Sequence, residues 1–247
     1  MNTMPTLRAL TCALALAAAP LVSAEEVHLH EGDVLPLLPC ATDKANCTIE
    51  LDDLGDKPRD AATGYAIFEA DFGDFPTLFS TDDPGFDHEA GQFIPGTILG
   101  LSAVAGLEYW NGSQWLSAPP AGETVTIKDA LDELLVIGAG APPAGTAALI
   151  GQVDAAGNLH EHIGYAVTSG ASIGAYLITL QLVGFQDDLE TAIYGASVPF
   201  MILFNRGLAI EDFEAAVAAR TAPIPLPAGV WLLGSALAAL GVTRRRT

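Results

Sequence analysis

Basic residues are scarce in this chain, whose 247 residues include 10 Lys and Arg against 30 Asp and Glu. The imbalance is sharpest between residues 25 and 222, because all of the acidic residues lie there and four of the ten basic ones lie outside. This region therefore carries a net charge near −24. A surface of that charge repels nucleic acid and anionic lipid headgroups and attracts cations, so nucleic-acid binding is excluded.

Two common catalytic motifs are missing as well. The sequence contains no His-Glu-x-x-His and no P-loop, and spacing alone does not pair its scattered carboxylates into a glycosidase dyad. A zinc ion with an open coordination position could activate water, but the sequence marks no general base or substrate pocket. We therefore expect a protein that is not an enzyme, with a metal-dependent hydrolase as an alternative.

Long apolar runs are confined to the two ends of the chain. At the N-terminal end, Arg8 is the only charge before an apolar run at residues 9–19, which is followed by Val22-Ser23-Ala24. This pattern predicts a signal peptide at residues 1–24, cut by signal peptidase so that the mature chain starts near Glu25. An uncleaved signal anchor is the alternative. The pattern predicts an exported protein.

The C-terminal end combines a Pro-rich break at residues 223–227, an apolar run at residues 228–242 and three arginines. Fifteen helical residues reach roughly 22 Å, which is short of the ~30 Å hydrocarbon core of a bilayer. The run is therefore a poor permanent anchor, and the arginines would keep its end in the cytoplasm. A short single-pass anchor remains the alternative.

This tail resembles the exosortase-recognised sorting tail (PEP-CTERM, in its VPLPA variant). The resemblance implies transient insertion in the inner membrane, cleavage by an exosortase-type enzyme, and delivery of the domain to the cell surface or the exopolysaccharide matrix. It divides the chain into a signal peptide (1–24), a domain (25–222) and a sorting tail (223–247). The sorting signal comprises Pro225, Pro227, Arg244, Arg245 and Arg246.

Cysteine is rare, with three residues in the chain. Cys12 is lost with the predicted signal peptide, which leaves Cys40 and Cys47 as an even pair in an oxidising compartment. Such a pair predicts one disulfide that closes a small loop. Two free thiols are the alternative.

The remaining region is long enough for one domain with its own core. Short segments rich in β-forming residues alternate with Gly, Pro, Asn and Asp, and residues 176–183 are apolar on nearly both faces, as in a central strand. Residues 139–148 predict a loop, and residues 210–220 predict a helix with acids in its first turn. The sequence predicts an all-β fold, a single antiparallel β-sandwich with a short C-terminal helix. Its predicted strands lie at residues 26–30, 48–51, 65–70, 107–110, 124–128, 159–168, 173–183 and 199–204.

Four of the five histidines form two His-x-His pairs. In a strand, residues i and i+2 project from the same face, so each pair could supply two nitrogens to one metal ion at ~2.0–2.1 Å. Imidazole suits zinc, with copper as an alternative. We predict a site shared by the two pairs, with separate weak sites or no site as alternatives. Its ligands would be His28, His30, His160 and His162, with His88 on a loop as a candidate fifth.

Acidic residues next to the histidines have other expected roles. Asp33 would orient a ring through a hydrogen bond, and Glu161 would point to the face opposite its neighbouring histidines. The acidic segment at residues 82–89 lacks the regular spacing of a helix-loop-helix calcium site. We therefore interpret that segment as a solvated turn, with calcium binding as the alternative.

Five short motifs occur in a set order along the middle of the chain. They are Asp-Pro-Gly-Phe-Asp at 83–87, Leu-Glu-Tyr-Trp-Asn-Gly at 107–112, His-Glu-His at 160–162, Gly-Ala-Tyr-Leu at 174–177 and Val-Pro-Phe-Met-Ile-Leu-Phe-Asn at 198–205. Together they resemble a bacterial exosortase-sorted family described as repressed by the zinc-uptake regulator. The resemblance implies a protein made when zinc is scarce, consistent with binding or scavenging the ion. A structural or adhesive matrix protein is the alternative.

Overall fold

The computed structural model describes residues 32–52, 54–73, 77–88, 90–140 and 147–222. The predicted signal peptide, the first histidine pair (His28 and His30) and the predicted sorting tail lie outside these residues. Within the described part of the chain, no helix has both the length and the apolar character needed to cross a membrane.

Strands dominate the described residues, and one α-helix, α1 (Ile210–Thr221), follows the last of them. A single 3-10 turn spans Lys44–Asn46. The strands are β1 Pro36–Leu37, β2 Glu50–Leu51, β3 Ile67–Asp71, β4 Ser80–Thr81, β5 Phe86–His88, β6 Ile98–Ala103, β7 Glu108–Trp110, β8 Trp115–Leu116, β9 Val125–Lys128, β10 Leu134–Ile137, β11 Ala147–Gln152, β12 Leu159–Glu161, β13 Gly164–Val167, β14 Gly174–Phe185 and β15 Phe200–Arg206.

Two larger sheets form the body of the fold. One has the order β11-β6-β14-β15-β3, with β7 paired to β14 and β8 paired to β7, and the other has the order β10-β9-β13-β4. Nearly all of these pairs are antiparallel, but β15 and β3 run parallel. Two short ribbons, β1-β2 and β12-β5, complete the structure. The second ribbon carries the histidines discussed below.

The main core lies between the two larger sheets. Ile127 of the four-stranded sheet and Ile178 of the larger sheet are both fully buried in one hydrophobic cluster, and the rings of Tyr165 and Phe204 lie 5.2 Å apart across it. On its other face the larger sheet packs against α1 through Phe213. This explains why β14 is buried on both faces over its first seven residues.

The all-β prediction and the short helix near the C-terminal end are confirmed, but some boundaries are wrong. Residues 159–168 form two strands, because β12 pairs with β5 whereas β13 pairs with β9 and β4. The predicted loop at 139–148 ends in β11, whose partner β6 was not predicted. Gly100 in β6 has a packing reason to be small, since a Cβ atom added there would lie 3.0 Å from the carbonyl oxygen of Ala148 in β11.

A disulfide joins Cys40 and Cys47, the two cysteines that the sequence analysis paired, with their Cα atoms 5.9 Å apart. Backbone hydrogen bonds from Gly195 to Cys47 and from Ile49 to Gly195 tie the end of this loop to the rest of the domain. The disulfide loop at residues 40–47 is therefore anchored to the rest of the domain at Cys47.

Arg220, in the last turn of α1, fixes the helix to the sheet. Its guanidinium donates two hydrogen bonds of 2.9 Å to the carboxylate of Glu108, and its Nε lies 3.0 Å from Oδ1 of Asp60. Asp60 is only 3% exposed and also accepts hydrogen bonds from Thr63. Planar, bidentate pairing of this kind is stronger than a simple surface ion pair.

Candidate metal site

The site is built on the β12-β5 ribbon and the chain segment beside it. Register pairs His160 with Asp87 and Glu161 with Phe86, so the alternation of a strand places His160 and Asp87 on one face. On the other edge of β5, Val34 forms a parallel bridge with Phe86. Three segments far apart in sequence therefore lie side by side.

Two carboxylates and one imidazole converge at the end of this ribbon. Asp33, Asp83 and His162 each offer one potential ligand atom, and these three atoms lie within 4.8 Å of one another. Asp33 is only 8% exposed, and its Oδ1 accepts a 2.9 Å hydrogen bond from the backbone N–H of Gly85. Imidazole nitrogen and carboxylate oxygen are both ligands that zinc accepts.

The ring of His162 is oriented by the acidic turn before β5. Its Nδ1 lies 3.1 Å from the carbonyl oxygen of Asp82 and 3.5 Å from Oδ1 of Asp83. A carbonyl oxygen only accepts hydrogen bonds, so the contact with Asp82 is a hydrogen bond in the tautomer whose Nδ1 carries the hydrogen, and that tautomer has its lone pair on Nε2. Histidines that bind metals are commonly fixed in this way by a hydrogen bond from their other nitrogen.

Gly85 leaves the space that this ring occupies. A Cβ atom added at Gly85 would lie 2.6 Å from Cε1 and 2.7 Å from Nε2 of His162. Real Cβ contacts are longer, so any larger residue at this position would displace the ring.

Replacing Gly85 with alanine is therefore expected to leave the fold intact and to displace the ring of His162. A zinc ion held by that ring would then bind about tenfold more weakly, a loss typical of disturbed ligand orientation. Zinc titration calorimetry measures the affinity, and circular dichroism checks the fold. Gly164→Ala is a matched control, because its added Cβ would meet only the Cβ of Lys128 at 3.6 Å. Unchanged affinity in Gly85→Ala would contradict this role for the position.

His160 lies next to the three converging groups without being one of them. Its side chain is 52% exposed, with Nδ1 3.5 Å from Oδ2 of Asp87. The rings of His160 and His162 have centroids 5.4 Å apart. Two imidazoles bound at ~2.0–2.1 Å to one tetrahedral ion have ring centres about 5 Å apart. The centroid spacing of the two rings is thus compatible with binding to a shared ion.

Glu161 points to the side of the strand that the sequence predicts, opposite its neighbouring histidines. Cγ of Glu161 lies 3.0 Å from the position of a Cβ atom added at Gly151, whereas His162 lies over Gly85. Glu161 therefore points away from the two histidine rings.

The placement of His88 differs from the prediction. His88 lies on β5, not on a loop, and it pairs with Leu159. Alternation puts it on the face opposite His160 and Asp87. It is 8% exposed, and its ring lies 4.7 Å from that of Phe93. The structure therefore separates His88 from the cluster formed by Asp33, Asp83 and His162.

Asp33 and Asp83 are the candidate ligands that the sequence analysis did not propose for this site. Asp33 was expected only to orient a ring, and Asp83 was placed in a solvated turn. One weak signal was available, since Asp33 follows His30 by three residues. His28 and His30 lie outside the described residues, so the predicted four-histidine site stays a prediction.

Tyr165 lies behind the site and is fully buried. Its hydroxyl donates a 3.4 Å hydrogen bond to the carbonyl oxygen of Pro84. Burial raises the pKa of Tyr165 well above its usual value, and the nearby carboxylates of Asp33 and Asp83 raise it further. The phenol is therefore a neutral hydrogen-bond donor at the base of the site.

Residues 170–174 match a Gly-x-Ser-x-Gly pattern, but they lead into strand β14 and not into the helix that follows a serine-hydrolase nucleophile. The hydroxyl of Ser172 donates a 2.7 Å hydrogen bond to Glu123. Burial raises the pKa of Glu123, but hydrogen bonds from Ser172 and the backbone outweigh burial and lower the pKa overall. Ser172 thus bonds an ionised carboxylate, and this motif has a structural explanation.

Comparison of the chain with protein-family models, with curated proteins and with solved structures found no match. The fold and the geometry define a class: a largely antiparallel all-β protein with a candidate cation site of two carboxylates and one imidazole.

Proposed function

We propose that this protein is an exported, surface-delivered β-sandwich that binds a transition metal ion, zinc in the first place, and has no catalytic role. The observation that carries the proposal is the convergence of Asp33, Asp83 and His162 within 4.8 Å. Copper is the alternative ion, because imidazole suits both metals.

The three candidate ligand atoms could bind one metal ion after a small inward movement. Three atoms that are no more than 4.8 Å apart all lie within about 2.8 Å of a common point. An inward movement of about 0.7 Å would bring them to the ~2.1 Å expected for zinc. Movements of that size are available to partly exposed side chains such as Asp83, which is 49% exposed.

Charge and ligand type favour a transition metal over calcium. The two carboxylates supply two negative charges, which match a divalent cation, and the imidazole supplies a nitrogen. Calcium takes six to eight oxygen ligands, whereas this group offers two carboxylates and a nitrogen that suits zinc better. His160, whose ring centroid lies 5.4 Å from that of His162, is a candidate for a further ligand.

Delivery to the surface is supported by the sequence of the two ends. Residues 1–24 match the pattern of a signal peptide, and the Pro-rich, apolar and Arg-rich segments at 223–247 resemble an exosortase-recognised sorting tail. A high negative charge would also keep the delivered domain soluble and would attract cations.

Metal analysis of the purified protein tests the proposal. After treatment with chelator and titration with zinc, we expect about one ion per chain, retained in the presence of excess calcium. The Glu161→Gln variant serves as a control, because it removes a neighbouring charge that points away from the site, and should bind zinc like the unchanged protein. A stoichiometry well below one ion per chain would contradict the proposed function.

A further inference from the structure

The candidate ligands come from three separate parts of the chain, and one of them belongs to the N-terminal segment, residues 33–38. We infer that a bound cation controls how firmly this N-terminal segment docks against β5. The inference rests on the proposed function, because it assigns a structural consequence to the same ion.

Among the described residues, three backbone hydrogen bonds outside the strand ladders hold the N-terminal segment in place. The N–H of Val34 donates to the carbonyl oxygen of Gly85 at 3.0 Å, the N–H of Asp87 donates to Val34 at 3.2 Å, and that of Asp52 donates to Leu35 at 2.8 Å. The pairing of β1 with β2 covers only two residues. The segment is therefore a natural unit of local opening, with the disulfide at Cys40 as its fixed end.

Docking nevertheless buries apolar side chains. Val34 is fully buried and Leu38 is 5% exposed, and Phe86, to which Val34 is paired, is fully buried as well. Opening of the segment would expose this part of the core to water. The position of the segment therefore affects the hydrophobic core as well as the metal site.

Docking also brings two negative charges together. The carboxylate of Asp33, almost completely buried, comes within 4.8 Å of that of Asp83. Like charges at this distance repel, and they do so more strongly where water is excluded. The hydrogen bond from Gly85 to Asp33 and the ring of His162 beside Asp83 act against this repulsion. A divalent cation between the carboxylates would replace the repulsion with attraction to both.

A ligand that binds only the docked state shifts the equilibrium toward that state. Removal of the cation should therefore increase the fraction of molecules in which the N-terminal segment is open. The ion would thus act as a clasp, that is, a link between Asp33 on the N-terminal segment and the side chains of Asp83 and His162.

Hydrogen exchange with mass spectrometry or NMR, combined with zinc calorimetry on the same samples, tests the inference. The amides of Val34 and Asp87, which donate the hydrogen bonds between the segment and β5, should exchange at least tenfold more slowly with zinc than with chelator. Amides in the centre of β14 are the internal control and should not change.

The Asp33→Asn variant separates repulsion from metal binding. It keeps a side-chain oxygen that can accept the hydrogen bond from Gly85 but removes the charge. We expect its Val34 amide to be better protected without zinc than that of the unchanged protein, and to show little further response to zinc.

Two results would overturn the inference, and one more would remove charge repulsion as the cause of opening. If zinc binds while the amides of Val34 and Asp87 exchange at the same rate with and without it, the clasp is disproved and the proposed function stands. If Asp33→Asn gives no added protection without zinc, charge repulsion is not what loosens the segment. If zinc does not bind at all, the clasp and the proposed function both fail.

Discussion

Replacement of His162 by alanine is expected to reduce zinc affinity by about 100-fold or more. The change removes the imidazole of the three converging groups and leaves two carboxylates, which prefer harder cations. Loss of a residue that merely orients a ligand typically reduces affinity by about 10–100-fold, so loss of a ligand itself should lie at or beyond the upper end. Competition titration against a chromophoric zinc chelator measures the effect.

Two matched variants make this prediction specific. His160→Ala removes the exposed ring beside the site, and we expect a smaller loss of affinity than for His162→Ala. Glu161→Gln alters the residue between the two histidines on the opposite face and should leave the affinity unchanged. Equal affinity in His162→Ala and the unchanged protein would show that the ion, if bound, has other ligands.

Replacement of Arg220 by methionine is expected to lower the free energy of unfolding by roughly 3 kcal/mol, the scale for breaking a largely buried ion pair. Arg220 is 17% exposed in its side chain and bridges two acidic groups. Its loss would leave the carboxylate of Asp60, 3% exposed, without its cationic partner. Urea denaturation followed by circular dichroism measures the change.

Lys128→Met is the matched control for Arg220→Met, since it also replaces a long basic side chain by methionine. Lys128 pairs with Asp132 at 2.5 Å, but both side chains are mainly exposed. Exposed pairs of this kind contribute about 0–1 kcal/mol. If the two variants lost similar stability, the contacts of Arg220 would not be what holds α1 to the sheet.

The fold could be predicted where the pattern of one segment was sufficient. Residues 176–183 are apolar on nearly both faces, and they lie within β14, whose first seven residues are buried on both faces. The segment at 159–168 shows what a local pattern omits. Its alternation continues through His162 and Ile163, but the partners of its two halves belong to different sheets. That division depends on tertiary pairing, which has no local signal.

The same limit applies to the site. Period-two alternation correctly placed His160 and His162 on one side of the chain and Glu161 on the other. The contribution of Asp33 depends on the bridge between Val34 and Phe86, segments about fifty residues apart in sequence. The position of His88 depends on the register of β5 with β12. The positions of Asp33 and His88 could therefore not be predicted from the residue spacing within one segment.

Anomalous diffraction at the zinc absorption edge, from crystals of the protein grown with zinc, would show whether an ion binds between Asp33, Asp83 and His162. We expect one strong peak about 2.1 Å from a nitrogen of His162 and from carboxylate oxygens of Asp33 and Asp83. Zinc found only at other positions, with no peak between these three side chains, would contradict this expectation.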